Sequence, residues 1–392
     1  MANNKTNNVK PVAVAPVVDM KEEERKMGKT LYIGNGAAGN KAVVMGVKRG
    51  DIDIKDTLLI NSTKDDFPAD YTGNTVVLSN GGCGKDRDAS KKYMRAAIES
   101  GTIDRAISAQ YDNVVIAASL EGGTGSGSTP LLGMYCLKVL GKNVRIYGFA
   151  GFEDDPHGLE NTIGFFKELD FECTVQCIRN SLFKAPSKYE AEQAANEEFC
   201  KHIRILSGMD MVPSSQNIDS TDLSKLRNTI GYCVVDKVEF DDTLMSVEDF
   251  NKVCKQMVVQ SKSLRSEPSQ VRLGVIMNIK PESEDAVDAK FTVLRDVYGN
   301  PYEVFTHKQY DGGTQYIAVI STGMKLPLDD AQAIYDRYLK AASSINTGKD
   351  EFIDKMKGME INEDRFRISP DRSRTISAND FLSSLGGTIE RR

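Results

Sequence analysis

Two glycine-rich stretches carry residue types suited to holding phosphate. The longer, Gly122-Gly-Thr-Gly-Ser-Gly-Ser128, follows the apolar run Asn113–Ala118 and leads into Thr129-Pro130. Proline suits the first turn of a helix, where its missing N–H would be unpaired anyway. Glycines interleaved with hydroxyls give successive backbone N–H groups able to wrap a di- or triphosphate, which makes Gly122, Gly123, Thr124, Gly125, Ser126 and Gly127 candidate ligands. The shorter stretch, Gly34-Asn-Gly-Ala-Ala-Gly39, satisfies the GxGxxG dinucleotide fingerprint. That fingerprint also wants an acid after the next strand to hold a ribose, and Leu58-Leu-Ile60 runs instead into Asn61-Ser62-Thr63. A Walker A reading fails as well, because Asn40 precedes Lys41 and Ala42 stands where a hydroxyl belongs. A nicotinamide-dependent oxidoreductase is therefore the weaker alternative.

The other side chains narrow the chemistry. Three histidines, His157, His202 and His307, stand apart from one another, which argues against a His-centred metal or nucleophile site. Seven cysteines include no CxxC pair, and the odd number does not suit a disulfide framework. A reducing cytoplasm and no protein-built metal site are expected. The net charge of −6 argues against direct nucleic-acid binding by the body. No apolar run reaches the roughly 18 residues of a membrane span.

The elements around the glycine loops alternate. Strands are predicted at Thr30–Ile33, Asp56–Ile60, Thr75–Leu78, Asn113–Ala118 and Asn143–Ala150, with helices from Lys41, over Asp86–Glu99 and over Thr129–Leu140. This order indicates a doubly wound parallel sheet. Further helices are predicted at Ala191–Ile205, Asp219–Tyr232 and Ser246–Gln260. Beyond them come strands at Val271–Ile279 and Gln315–Gly323, and helices around Ala286–Val297 and Leu328–Ala342. Residues 1–18 read as a flexible arm, and Glu360–Arg392, with Arg365, Arg367, Arg372 and Arg374, as a polar tail outside the packed body.

The Gly122 loop closely resembles the GGGTGTG/S signature of the tubulin and FtsZ superfamily, and other segments follow in that family's order. Gly36–Ala42 (GAAGNKA) is similar to its first nucleotide loop, Asn61–Asp66 (NSTKDD) to its second, and Gly81–Arg87 (GGCGKDR) to its γ-phosphate-sensing loop. Ile178-Arg-Asn-Ser181 resembles the strand end before the central helix, and Ala318–Gly323 the last activation-domain strand. The NSTKDD and GCGKDR variants look nearest to the TubZ-type proteins of plasmids and phages. The resemblance implies an α/β fold: a Rossmann-like GTP-binding domain with a parallel sheet (29–218, after an arm at 1–28), a central helix with its catalytic loop (219–245), a smaller α/β activation domain (246–345) and a C-terminal helix and tail (346–392).

It also implies a GTPase that polymerises head to tail, with GTP or GDP and Mg2+ as cofactors and itself as first partner. Gly36, Ala37, Gly39, Asn40, Asn61, Gly82, Gly84, Lys85 and Asn180 join the Gly122 loop as nucleotide contacts. Asn40 and Asp222 take base-reading positions, and the loop Phe152–Glu160 approaches the ribose. In this family an acidic NxDxx(D/E) loop after the central helix of the next subunit completes the hydrolytic site. An acid pair three residues apart can orient the attacking water. Glu239 and Asp242 in Lys237-Val-Glu-Phe-Asp-Asp242 are the preferred pair, with Glu248 and Asp249 the alternative. The resemblance further implies a role in the bacterial host cytoplasm, either plasmid or phage DNA segregation with the tail contacting a DNA-bound adaptor, or positioning of viral DNA or a replication compartment. Isothermal titration is expected to show binding of GTP but not of ATP or NAD; equal affinity for ATP would remove the guanine assignment.

Overall fold

The computed structural model describes residues 27–327 apart from 153–154, 170, 215–216, 241–245, 265, 267–269, 284–293, 296–297 and 299, together with 330, 333, 336–337, 339–340 and 375–384. One ten-stranded sheet organises them, in the order β3-β2-β1-β4-β5-β6-β7-β10-β8-β9. Its strands are β1 (Thr30–Asn35), β2 (Thr57–Asn61), β3 (Asn74–Val77), β4 (Asn113–Ser119), β5 (Asn143–Ala150), β6 (Thr174–Arg179), β7 (Gly231–Phe240), β8 (Gln270–Asn278), β9 (Asn300–Gln309) and β10 (Gln315–Met324). From β3 to β6 every pairing is parallel. Two register pairs, Thr174 with Gly231 and Val175 with Tyr232, carry the sheet into β7. Beyond that seam β10 runs antiparallel to both β7 and β8, and β9 is parallel to β8.

Helices cover both faces of the parallel half, which is why β4 is apolar along its length instead of alternating. Val114 and Ile116 point to one cluster, with Met94, Leu132 and Phe165 from α2 (Arg87–Glu99), α4 (Gly123–Lys138) and α5 (Pro156–Glu168). Val115 and Ala117 point to the other, with Val43 and Phe199 from α1 (Gly36–Arg49) and α6 (Lys188–Ser207). A short α3 (Thr102–Ala106) follows α2. The second half contributes α7 (Ser220–Asn228) and α8 (Val247–Gln260), the latter started by a Ser246–Asp249 capping box. Among the described residues no helix is long and apolar enough to cross a membrane.

Three expectations change. The long helix after β6 is α6, of 20 residues, whereas the helix expected over Asp219–Tyr232 stops at Asn228 and gives way to β7. Strand β9 has no counterpart among the predicted elements. The tail is not wholly outside the body, because α9 (Ala378–Ser384) docks on α4. Phe381 and Leu382 are buried there, Phe381 stands edge-on to Tyr135 at 5.5 Å, and the Ile376 N–H donates to the Lys138 carbonyl at 2.7 Å. Two large apolar side chains suffice to anchor a short segment that composition alone reads as polar. The arm, the tail arginines and most of the two helices expected at 286–297 and 328–342 lie outside the described residues.

Truncating a buried Phe to Ala costs about 3–5 kcal/mol, more than a two-turn helix supplies for itself. Phe381→Ala is therefore expected to release α9, read as rapid proteolysis within 375–384, while amide protection of β4 and β5 stays unchanged.

Candidate nucleotide-binding site

The loops that follow β1 through β6 gather at the C-terminal edge of the parallel strands. At its centre the turn after β1 meets the loop after β4 backbone to backbone. Gly36 has φ +80°, and a Cβ there would lie 3.0 Å from the Gly125 nitrogen. A Cβ on Gly125 would lie 2.9 Å from the Asn35 carbonyl oxygen, one on Gly123 2.7 Å from the Lys85 backbone, and one on Gly127 2.5 Å from the Arg87 carbonyl. Gly39 is tighter still, 1.9 Å from the Ala117 carbonyl oxygen. Helix α4 opens on Gly123 itself, so its free N–H groups belong to the loop, and neither α1 nor α4 carries an acid in its first turn. Two such helix N-termini side by side make an anion site.

Hydroxyls and amides lock this cradle. Ser62 and Thr124 share a hydrogen bond of 2.8 Å, joining the β2 loop to the β4 loop. Ser90 and Ser128 donate to the Thr124 carbonyl at 2.8 and 2.7 Å. The Asn35 amide donates to Ser128 and Thr129 at 2.9 and 2.8 Å. Arg87 reaches the Ser126 carbonyl at 3.2 Å and Glu168 at 2.7 Å. Lys85 is ion-paired with Asp155 across the mouth, with φ +66° at its own backbone. Gly82 and Gly84 are exposed, with open space where a Cβ would sit, and Ala37 is exposed on the first turn of α1.

Three of the expected contacts carry buried polar atoms that lack a protein partner: both side-chain amide atoms of Asn40, Nδ2 of Asn61 and Oδ1 of Asn180. Buried amides are almost always paired, so these atoms are available to a ligand's polar edge. Among the described residues no three His, Cys, Asp or Glu side chains are grouped to hold a metal ion.

Asp222 is not beside Asn40. Helix α6 starts near the cradle, where Lys41 approaches Glu192 at 3.8 Å, and spans roughly 30 Å at 1.5 Å per residue. It delivers the chain to the opposite edge of the sheet, and α7 sits there. On α7, Arg227 donates to Thr30 at 2.6 Å and its carbonyl accepts from Arg145 at 2.7 Å and Thr174 at 3.2 Å, all residues at the N-terminal ends of strands. The loop entering α7 reads Asn217-Ile-Asp-Ser-Thr-Asp222, which fills every specified position of the NxDxx(D/E) pattern. Asp219 caps the helix by accepting the Asp222 N–H at 2.8 Å, and Asn217 and Asp219 are exposed while Asp222 is half-buried.

The acids first assigned to that pattern lie elsewhere. Glu239 is on β7 opposite Tyr316 of β10, paired with Lys237 at 2.9 Å, and Asp242 is outside the described residues. Asp249 closes the α8 capping box, with its carboxyl held below the usual range by hydrogen bonds from Ser246, and Glu248 pairs with Lys252 at 3.3 Å. The Asn217 motif is hidden when Asp219 is read as the start of the central helix. The 20-residue run from Lys188, capped by Ser187 and closed by Gly208, is the signal that corrects this.

A second residue falls outside the expected contacts. Aligned on Thr124, the signature's first glycine falls on Glu121, which is half-buried, and burial followed by the neighbouring Asp155 pushes its carboxyl up to about 7.

No protein-family model matches the chain. Solved structures do match in fold. TubZ of the Clostridium botulinum phage c-st is 18% identical, with a TM-score of 0.65 over 81% of this chain and 99% of that one. CetZ2 from Haloferax volcanii, described as a GTPγS-bound protofilament, is 18% identical at 0.66 over 81% and 100%. A point mutant of FtsZ from M. jannaschii is 18% identical at 0.60 over 78% and 94%. The chain shares its fold with these TubZ, CetZ and FtsZ structures.

The glycine geometry separates two neighbours. Gly123→Ala forces a Cβ into the Lys85 backbone and is expected to cost about 1–3 kcal/mol, as overpacking does. Gly122→Ala meets nothing closer than 3.8 Å and is expected to stay within about 0.5 kcal/mol of the parent. Paired thermal melts check the contrast.

Proposed function

We propose that the chain is a tubulin-like GTPase that assembles head to tail and hydrolyses GTP where the cradle of one subunit meets the α7 pole of the next. The observation that carries this reading is the separation of two half-sites. Among the described residues, a phosphate cradle without a water-positioning acid pair of the family's pattern lies at one edge of the sheet, and an Asn217-x-Asp219-x-x-Asp222 motif, exposed at Asn217 and Asp219, lies at the other. Neither half completes itself within one subunit. A heterologous contact between unlike ends brings them together and extends into an open filament.

In that contact the Gly122–Gly127 backbone holds the phosphates and the orphaned amide of Asn40 takes the guanine edge. Asn61 and Asn180 contribute further polar contacts, and Lys85 leaves Asp155 for the terminal phosphate. Asp219 and Asp222 of the next subunit orient the attacking water, the role first given to Glu239 and Asp242. Mg2+ bound with the nucleotide would supply charge neutralisation for the phosphates that the Gly122–Gly127 backbone holds. A CetZ structure described as a GDP-bound monomer and a Bacillus thuringiensis TubZ described as a GTPγS-form protofilament share the fold and support the nucleotide and the assembly. The cargo we propose is plasmid or phage DNA in a host cytoplasm, engaged through an adaptor on the tail arginines.

Phosphate release is expected to rise more than linearly with protein concentration. Asp222→Ala should still bind GTP and sediment as filaments, with turnover reduced about a hundredfold or more, the scale of losing a positioned general base. Glu239→Ala should turn over normally. Full activity in dilute monomer, or loss of activity in Glu239→Ala with Asp222→Ala intact, would refute the shared site.

A further inference from the structure

Glu121 is built into the cradle in a way a chance surface acid would not be. Its side chain lies in a slot left by two glycines: a Cβ on Gly151 would stand 1.9 Å from its Oε2, and one on Gly158 3.1 Å from its Cδ. Its Oε1 accepts the Gly151 N–H at 3.0 Å, so the carboxyl ties the turn after β5 to the loop after β4. The backbone of Glu121 is held as well, with its N–H donating to Ser119 at 3.2 Å and its carbonyl accepting from Asn161 at 2.9 Å. The same Asn161 amide donates to the Lys85 carbonyl at 3.0 Å, which joins the third loop to the set.

Among the described residues, the charges facing Glu121 come from two elements. Asp155, at the start of α5, enters the same space beside Gly158, with its Oδ2 3.1 Å from where a Cβ would sit, and His157 stands two residues on, acting on Asp155. Lys85, from the loop before α2, is the cation and is already paired with Asp155. Burial is the largest influence on Asp155 and opposes its ionisation, but hydrogen bonds from Lys85 and the Gly158 backbone, with the charges of Lys85 and His157, together outweigh it and keep that carboxyl low. Among the described residues the cluster thus holds two carboxyls and one ammonium at the mouth of a loop shaped for phosphate.

We infer that Glu121 is a positioning residue that takes up a proton when the polyphosphate binds, so that the cradle keeps its tether to the β5 turn while losing a negative charge. The inference rests on the nucleotide reading above. Two effects act in the same direction. The arriving phosphates place like charge beside the carboxylate, which disfavours its ionised form. They also compete for Lys85, the cation that acts on both acids. A protonated carboxyl still accepts the Gly151 N–H through its carbonyl oxygen and gains an O–H donor for a phosphate oxygen or Asp155.

The sign follows from linkage. Bound nucleotide raises the Glu121 pKa above its free value near 7, so affinity is flat below that value. Above it, affinity falls as pH rises, by at most about tenfold per pH unit for a single proton. Titration calorimetry of GDP in two buffers of different ionisation enthalpy, on the alkaline side of neutrality where the nucleotide's own phosphates are ionised, reads the proton directly. The full chain is expected to take up a substantial fraction of one proton. Glu121→Gln, which keeps shape and tether, should take up none and bind with pH-independent affinity. Glu121→Ala should also take up none, and His157→Gln should behave like the parent. Equal uptake in the parent and in Glu121→Gln, or none in the parent, overturns this inference while leaving the nucleotide site standing. No binding of GDP or GTP by the parent overturns both.

Discussion

The close approach of Gly36 to Gly125 is the contact on which the rest of the site depends. Strands β1 and β4 are neighbours, yet the chain leaves β1 toward β2 and β3 on one side and continues from β4 toward β5 and β6 on the other. The two strand-to-helix turns therefore diverge around a crevice, the place where open α/β sheets bind ligands. Side chains at the inner turn positions would push the loops apart, and Gly39, Gly123 and Gly127 show the same intolerance against Ala117, Lys85 and Arg87. Backbone-to-backbone packing lets the loops after β1 and β4 converge with the Lys85–Arg87 segment, and hydroxyl hydrogen bonds join the loop after β2 to them.

The second constraint is the length of α6. A helix of 20 residues is needed to cross from the end of β6 to the opposite edge of the sheet, and it must be apolar toward the sheet along that path. Ala195, Phe199 and Ile203 supply that face. Near its end the polar residues of α6 are paired: Arg204 bonds Asp51 at 2.9 Å and is ion-paired with Asp210, which fixes where the helix stops and the loop to Asn217 begins. Helix length thus separates the cradle from the α7 pole, and under the proposed function any chemistry joining them is intermolecular.

What is legible in the residues follows from how local each signal is. The parallel half is readable because its strands are short apolar runs bounded by glycines and its helices have caps, as with Asp86 before α2. The Gly122 loop is readable because close packing and phosphate binding ask for the same residues. The second half is less so. Gly231-Tyr-Cys-Val-Val235 is buried on both faces, and a short apolar run carries no period to tell strand from helix. In β9, Pro301 argues against a strand, but β9 is the sheet's outer edge, where a missing N–H costs nothing. The pairing of Asp222 with Asn40 fails for a different reason: family order along the chain does not reveal which end of a helix a loop occupies.

The α7 pole is held by a network that only the assembled fold displays. The Arg227 guanidinium is buried, and an isolated buried cation is costly. Here its cost is offset by Thr30, while its own carbonyl serves Arg145 and Thr174. Next to it, Arg272 donates to Thr229 at 2.9 Å and to Glu303 at 2.7 Å, tying the end of α7 to β8 and β9. The helix that presents Asp219 and Asp222 is therefore pinned to the ends of β1, β5 and β6 on one side and to the antiparallel strands on the other. Under the proposed function, acids that position water are useful only if their carrier does not yield when the next subunit arrives. Buried and part-buried hydrogen bonds from the arginines, roughly twice as strong as neutral ones, supply that stiffness across the narrow β6–β7 seam, where the sheet itself contributes only two register pairs.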